Sequence, residues 1–218
     1  MAIDRKTSLP KSWGITLEMM ENPQCRIPFI EPGNIPEELR EELTPLYQNI
    51  LDKWGTVPRF VQMLAHSPVT IEAWQLIESK IRFTYLKTDP DFVKILQLVI
   101  VKTAILNHSN NCCGHNVDLG RSVGLSWDQI DALDGDGWKT SSALSPKERA
   151  AVRWADAVTK GTAYDDEEAF QELTKYFTTR QIVEMTYLCG LWNLSGRLTE
   201  PFRQTVEPPE KRIGFKDK

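Results

Sequence analysis

The sequence predicts an all-α domain of about eight helices behind an extended N-terminal arm. Three observations carry that expectation. Apolar residues recur at helical spacing through most of the chain. The segments that hold them open on Ser, Thr or Asp, followed by Pro or by acidic residues, which is how helices start. No alternating apolar–polar run flanked by hairpin turns occurs anywhere.

Taken in order, residues 1–35 carry Pro10, Pro23, Pro28 and Pro32 without a sustained period, and read as an arm lying on a core or on a neighbouring subunit. In "IPEELREELTPLYQNILDKWG", Pro36 suits a first helical position, Leu39, Leu43, Leu46 and Ile50 repeat at helical spacing, and Gly55 ends the run. "SPVTIEAWQLIESKIRFTYL" begins with Ser67 and Pro68, and "DPDFVKILQLVIVKTAILN" with Asp89 and Pro90. The apolar middle of the latter predicts burial on most sides. Ser109 caps a helix from about Asn110 to Ser122, with Gly124 just past its end. "LSWDQIDAL" and "LSPKERAAVRWADAVTKG" each show a capping box, Ser126 with Gln129 and Ser145 with Glu148. "DDEEAFQELTKYF" and "TTRQIVEMTYLCGLWNLSGRL" complete the set. The loop "DGDGWKTSSAL" is too short for a domain boundary, so residues 36–204 form one domain and residues 205–218 a tail, whose basic "KRIGFKDK" reads as solvated.

A chain of 218 residues hides about 70% of its unfolded surface on folding, so its core needs no staples. A net charge of −4 without a long basic run argues against nucleic acid. No apolar run approaches a membrane span, and "MAIDRKTSLPKSWG" has no apolar leader. The expectation is therefore a cytoplasmic protein whose Cys25, Cys112, Cys113 and Cys189 are thiols.

The chemistry-bearing stretch is "NHSNNCCGHN". Cys112 and Cys113 fall in the first turn of a helix, where the dipole favours a thiolate, and His115 lies within reach of Cys112. Equally, both cysteines are small enough to be plain core residues. Adjacent Cα atoms are about 3.8 Å apart, below the roughly 4.4 Å that a disulfide wants, so a Cys112–Cys113 bridge would be strained. His108, Cys112, Cys113 and His115 match no usual zinc spacing, and neither a metal nor another cofactor is expected.

Three segments in order carry a family likeness. "QLVIVKTAILNHSNNCCGHNVDLGRSVGLSWDQIDAL" resembles the core of the carboxymuconolactone decarboxylase and alkylhydroperoxidase AhpD-like superfamily. "WGTVPRFVQMLAHSPVTIEAW" is similar to its first helical pair, and "QIVEMTYLCGLWNLSGRL" to its final helix, over roughly residues 36 to 200. The resemblance implies an AhpD-like helical bundle, a small-molecule substrate and a homo-oligomer (dimer, trimer or hexamer), with neither nucleic acid nor membrane as partner. In the redox branch of that superfamily a Glu precedes a Cys-x-x-Cys and a His. Here Gln97 takes the place of the Glu, Ser109 the first Cys, Cys112 the second and Asn116 the His. Amides exchange no proton near neutral pH and a serine cannot resolve a sulfenate, so that relay is degenerate. His115 and Cys113 replace the missing groups only if shifted about 100° around the helix.

The decarboxylase branch implies a different set of roles. His115 would donate the proton and Arg197 would hold a carboxylate. Gln97, Asn116 and Asn193 would steady an enolate oxygen, and Trp192 would form an apolar wall. Structural alternatives stand beside each: Arg197 neutralising its helix end or pairing with Glu200, Gln97 and Asn116 as a buried amide pair, Trp192 as core, and His66 as a helix-end contact. The first reading is a decarboxylase-like lyase or isomerase acting on a small carboxylate or lactone. The alternatives are a thiol peroxidase or disulfide reductase built on Cys112, with Cys113 or an external thiol resolving, and a non-catalytic ligand-binding descendant.

Overall fold

The computed structural model describes residues 3–214. Two short strands, β1 (Ile3–Asp4) and β2 (Leu9–Pro10), pair antiparallel in the arm, and the helix α1 (Leu17–Glu21) follows. The helical body runs α2 (Arg40–Trp54), α3 (Arg59–Leu64), α4 (Pro68–Lys80), α5 (Arg82–Thr88), α6 (Pro90–Leu106), α7 (Asn110–Ser122), α8 (Trp127–Asp131), α9 (Pro146–Lys160), α10 (Glu167–Thr174) and α11 (Thr179–Thr199). The architecture is all-α, as expected from the periodicity. No helix among the described residues is long and apolar enough to cross a membrane.

The expected caps form. Asp89 accepts from Phe92 N–H, Ser109 from Cys112 N–H, and Ser126 and Ser145 close capping boxes with Gln129 and Glu148. Thr178 and Gln181 make a third box at the start of α11. One predicted helix is divided in two. A distortion at Ile81 (φ −105°, ψ −78°) separates α4 from α5, and Arg82 continues the buried stripe of α4.

α6 is the hub. Phe92, Val93, Leu96, Leu98, Val99, Ile100 and Val101 are all fully buried against α7, α9 and α11. Each such side chain contributes about 1.5–3 kcal/mol relative to exposure. A three-residue turn joins α6 to α7, with His108 held at φ 55° and stacked 4.5 Å from Trp13. A second apolar cluster, including Leu43, Ile50, Trp54, Phe60, Val61 and Ile71, lies under α2, α3 and α4.

The N-terminal arm takes one of the two places expected for it, whereas the C-terminal segment departs from the expected solvated tail. The arm lies on its own core: Ile3 N–H donates to Asp131 at 2.9 Å, and Ser8 Oγ donates to Asp118 at 2.7 Å. Residues 204–213 are no solvated tail. Gln204, Val206, Glu207, Arg212 and Ile213 are buried against the body, while the last four residues of "KRIGFKDK" lie outside the described residues. The segment approaches α7 so closely that a Cβ on Gly114 would stand 3.0 Å from the Val206 methyls. Arg212 explains the docking. Its guanidinium reaches Asp118 on α7 at 3.1 Å, Thr7 O in the arm at 2.8 Å and Glu207 O at 2.6 Å. A buried guanidinium needs partners on every side, and here they come from both ends of the chain.

Replacing Arg212 by Ala leaves Asp118 without its partner and should lower the unfolding free energy by about 3 kcal/mol. Urea denaturation measures this. Limited proteolysis should then cut within residues 204–213 before the helical body, and equal resistance in both proteins would show that Arg212 does not hold the segment.

Candidate functional site

α7 divides its residues among three surroundings. Asn110, Gly114 and Asp118, on one stripe, carry the C-terminal segment, with Val206 N–H donating to Asn110 at 3.1 Å. Cys113 faces the interior, its Sγ 3.9 Å from Ser8 O. Asn111, Cys112, His115 and Asn116 line a small, partly enclosed cavity of about 40 Å³, together with Arg82, Trp192 and Ile213. A three- or four-residue spacing on a helix is what brings the last set to one side.

His115 is 5% exposed, and its Nε2 stands 2.9 Å from the carboxylate of Glu207. The backbone N–H of Arg59 donates to the other carboxylate oxygen. Burial by itself would raise the Glu207 pKa. The charge and hydrogen bond of His115 and backbone donors, Arg59 N–H among them, outweigh it and hold the group at about 2. Nε2 stands against the ionised carboxylate as an ion-pair contact, and neither ring nitrogen has a well-directed hydrogen bond among the described residues. Glu207 also lines an open groove of about 640 Å³ whose walls include Phe29, Trp54, Arg59 and Lys211. The Glu207–His115 pair therefore stands between a large open groove and a small, partly enclosed cavity.

Arg82 is 1% exposed. Its Nε donates to Glu78 at 2.8 Å, its Nη1 donates to both Gln97 Oε1 and Asn116 Oδ1 at 2.8 Å, and its Cζ sits 4.9 Å from the Trp192 ring centre. Burial pushes Glu78 up against the pull of Arg82. Gln97 Nε2 donates to Asn116 O at 3.3 Å, and Asn116 Nδ2 donates to Cys112 O at 2.8 Å. Gln97 and Asn116 are thus an amide pair joining α6 to α7, as one reading of the sequence had it, and the guanidinium orients both.

The first turn of a helix favours a thiolate, yet burial pushes the Cys112 thiol up, with the hydroxyls of Ser109 and Ser195 only partly offsetting it. Cys112 Sγ lies 3.3 Å from Ser195 Oγ. Burial likewise raises Cys113, and the two thiols face different surroundings.

Other expected site residues lie elsewhere. Arg197 is exposed and donates to Asn107 at 2.9 Å, beside a surface depression shared with Glu200. Asn193 accepts from Asn107 at 3.0 Å and donates to Cys189 O at 3.0 Å. Neither lines the cavity. His66 contacts Pro28 O in the N-terminal arm at 2.9 Å, rather than the helix end expected from its position. No cluster of three His, Cys, Asp or Glu side chains able to hold a metal occurs among the described residues.

No protein-family model matches the chain, and no curated protein does. Solved structures do. A protein of unknown function from Agrobacterium tumefaciens, described there as an AhpD antioxidant-defence candidate, shares 26% identity at a TM-score of 0.55, over 66% of this chain and 94% of that one. An uncharacterised peroxidase-related protein from Ralstonia eutropha with an alkylhydroperoxidase AhpD core shares 20% identity at 0.65, over 87% and 95%. A Cys-to-Ala variant of the debrominase Bmp8, in complex with 2,3,4-tribromopyrrole, shares 15% identity at 0.63, over 86% and 96%.

The chain has the AhpD-like fold. The likeness read from sequence segments and the likeness in three dimensions agree. Within the AhpD-like fold, the positions matched to the redox relay are occupied here by Gln97, Ser109, Cys112 and Asn116. Ser109 caps α7 and contacts Thr199 at 3.2 Å, while Gln97 and Asn116 serve Arg82. Two residues escaped sequence reasoning. Arg82 lies on the stripe Ile71–Gln75–Glu78–Arg82, which is buried, whereas the more apolar Trp74, Ile77 and Ile81 are half-buried. A charged pair four residues apart on a stripe opened by Ile71 was the available signal. Glu207 offered none, because only chain tracing brings it to α7.

Because the Glu207 pKa falls on folding from 4.5 to about 2, its pairing stabilises the protein above pH 4.5, and that contribution disappears as pH drops through 4.5 towards 2. The wild type should therefore lose about 2 kcal/mol more than Glu207→Gln between pH 6 and pH 3. Urea midpoints across that range measure it, and parallel curves would mean that the carboxylate is not paired in solution.

Proposed function

We propose that the protein is an acid–base enzyme that decarboxylates or isomerises a small carboxylate or lactone, with His115 as the proton donor. The observation that carries this reading is the buried His115 ring, which lines the cavity with its Nε2 against the buried Glu207 carboxylate. A carboxylate beside the ring orients it, which is what a positioned general acid needs. Arg82 takes the role that the sequence suggested for Arg197. When a carbon–carbon bond to a departing CO₂ breaks, the electron pair moves onto a conjugated carbonyl, and a buried cation stabilises the enolate until His115 protonates it. Trp192 and Ile213 supply apolar wall.

A second reading rests on Cys112, whose sulfur lines the same cavity, and on the likeness to a debrominase and to peroxidase-related proteins. Cys113 faces Ser8 instead, so a thiol reaction here would draw its second thiol from solution.

Assays of carboxymuconolactone and related unsaturated lactones and carboxylates, followed by absorbance and CO₂ release, separate the two readings. The acid–base reading expects His115→Ala to lose roughly a hundredfold or more in kcat, with Cys112→Ser near wild type. Full activity in His115→Ala would sink it. Hydroperoxide or bromopyrrole consumption with excess small thiol, abolished in Cys112→Ser, would install the second reading instead.

We propose a homo-oligomer as well. Val183, Tyr187 and Leu194 are all more than half exposed along α11, an apolar stripe of the sort that marks contact surfaces. Light scattering that returns a monomer at micromolar concentration would remove this proposal.

A further inference from the structure

Asn111 is a cavity residue with no structural partner for its amide. It is 3% exposed, lines the cavity one turn before His115, and its Nδ2 has no hydrogen-bond acceptor in the chain. A buried donor left unmade costs about 1–3 kcal/mol, so a fold keeps one when something else accepts from it. Asn111 also stands in the first turn of the 13-residue helix α7, where the dipole favours negative charge. Arg82 brings a buried guanidinium to the same cavity. Neither nearby carboxylate lines the cavity: Glu78 accepts from Arg82, and Glu207 pairs with His115 and the Arg59 N–H, each keeping one buried oxygen without a hydrogen-bond partner. Ser195 Oγ is engaged with Cys112.

What converges on the cavity is therefore a set of donors, with no carboxylate in its lining. We infer that the cavity is an oxyanion site for a small planar carboxylate, in which Asn111 Nδ2 is the donor that selects the charged oxygen. The inference rests on the acid–base reading for what happens next, but the binding it describes does not require turnover. At about 40 Å³ the cavity takes the carboxylate end of a ligand and little more. Ile213, on the C-terminal segment, forms part of its wall.

The test uses sodium formate as the probe and formamide as its neutral counterpart. Both are titrated into full-length protein carrying labelled histidine. With three histidines in the chain, the His115 ring resonances are assignable by single substitution of the other two. Formate should shift the His115 signals saturably and formamide should not. Asn111→Ala should weaken formate about tenfold or more, the loss expected for one hydrogen bond to a charged group. Asn111→Asp, of the same shape but with an acceptor in place of the donor, should abolish binding.

No saturable shift with formate, an equal response to formamide, or unchanged affinity in Asn111→Ala would each overturn the proposal. Should neither variant fold, the comparison of formate with formamide in the wild type decides alone. Formate binding without turnover of any carboxylate or lactone would leave this site standing and fell the acid–base reading. Turnover lost in His115→Ala with unchanged affinity in Asn111→Ala would do the reverse.

Discussion

The buried guanidinium of Arg82 is the constraint around which the site is arranged. A full charge with 1% of its surface exposed is tolerable only where hydrogen bonds and an opposite charge surround it. Four helices supply these: Glu78 from α4, Gln97 from α6, Asn116 from α7 and the Trp192 ring from α11. In the resemblance read from the sequence, Gln97 and Asn116 stand where the redox relay has a carboxylate and an imidazole. As amides they accept from Arg82 without adding charge, which leaves Glu78 as its counter-charge.

His115 depends on a second arrangement of the same kind. Its partner Glu207 arrives on a segment pinned to α7 by Val206, by the close approach at Gly114 and by the buried Arg212. Arg212 in turn draws on Thr7 from the arm. The two ends of the chain thus clamp one face of α7 and deliver a carboxylate towards another. This makes the electrostatics of the cavity a property of the whole chain: loosening either terminus would alter the ring that faces the ligand.

The thiols show how burial can override local helix chemistry. Cys112 and Cys113 sit where the helix dipole helps a thiolate, yet both are removed from water, and desolvation dominates. Being adjacent on a helix, they also diverge, one to the cavity and one towards Ser8. The geometry suits a neutral Cys112 beside an acid–base pair better than a resting nucleophile with an internal resolving thiol.

Helix positions, caps and the buried character of α6 were legible in the sequence, because they follow from spacing of apolar residues and from short-range hydrogen bonds at Asp89, Ser109, Ser126, Ser145 and Thr178. The family likeness and the face of α7 carrying Cys112, His115 and Asn116 were legible for the same reason, since a helical repeat sets which neighbours share a side. The cation of the site was not. Arg197 carried a family expectation, but α11 places it at the surface. Arg82 reached the cavity on the buried stripe it shares with Ile71, Gln75 and Glu78. Glu207 joined His115 only when the C-terminal segment folded back. Local periodicity determines the elements and their faces, whereas contacts between residues far apart in the chain depend on packing, and here packing chose which charges meet.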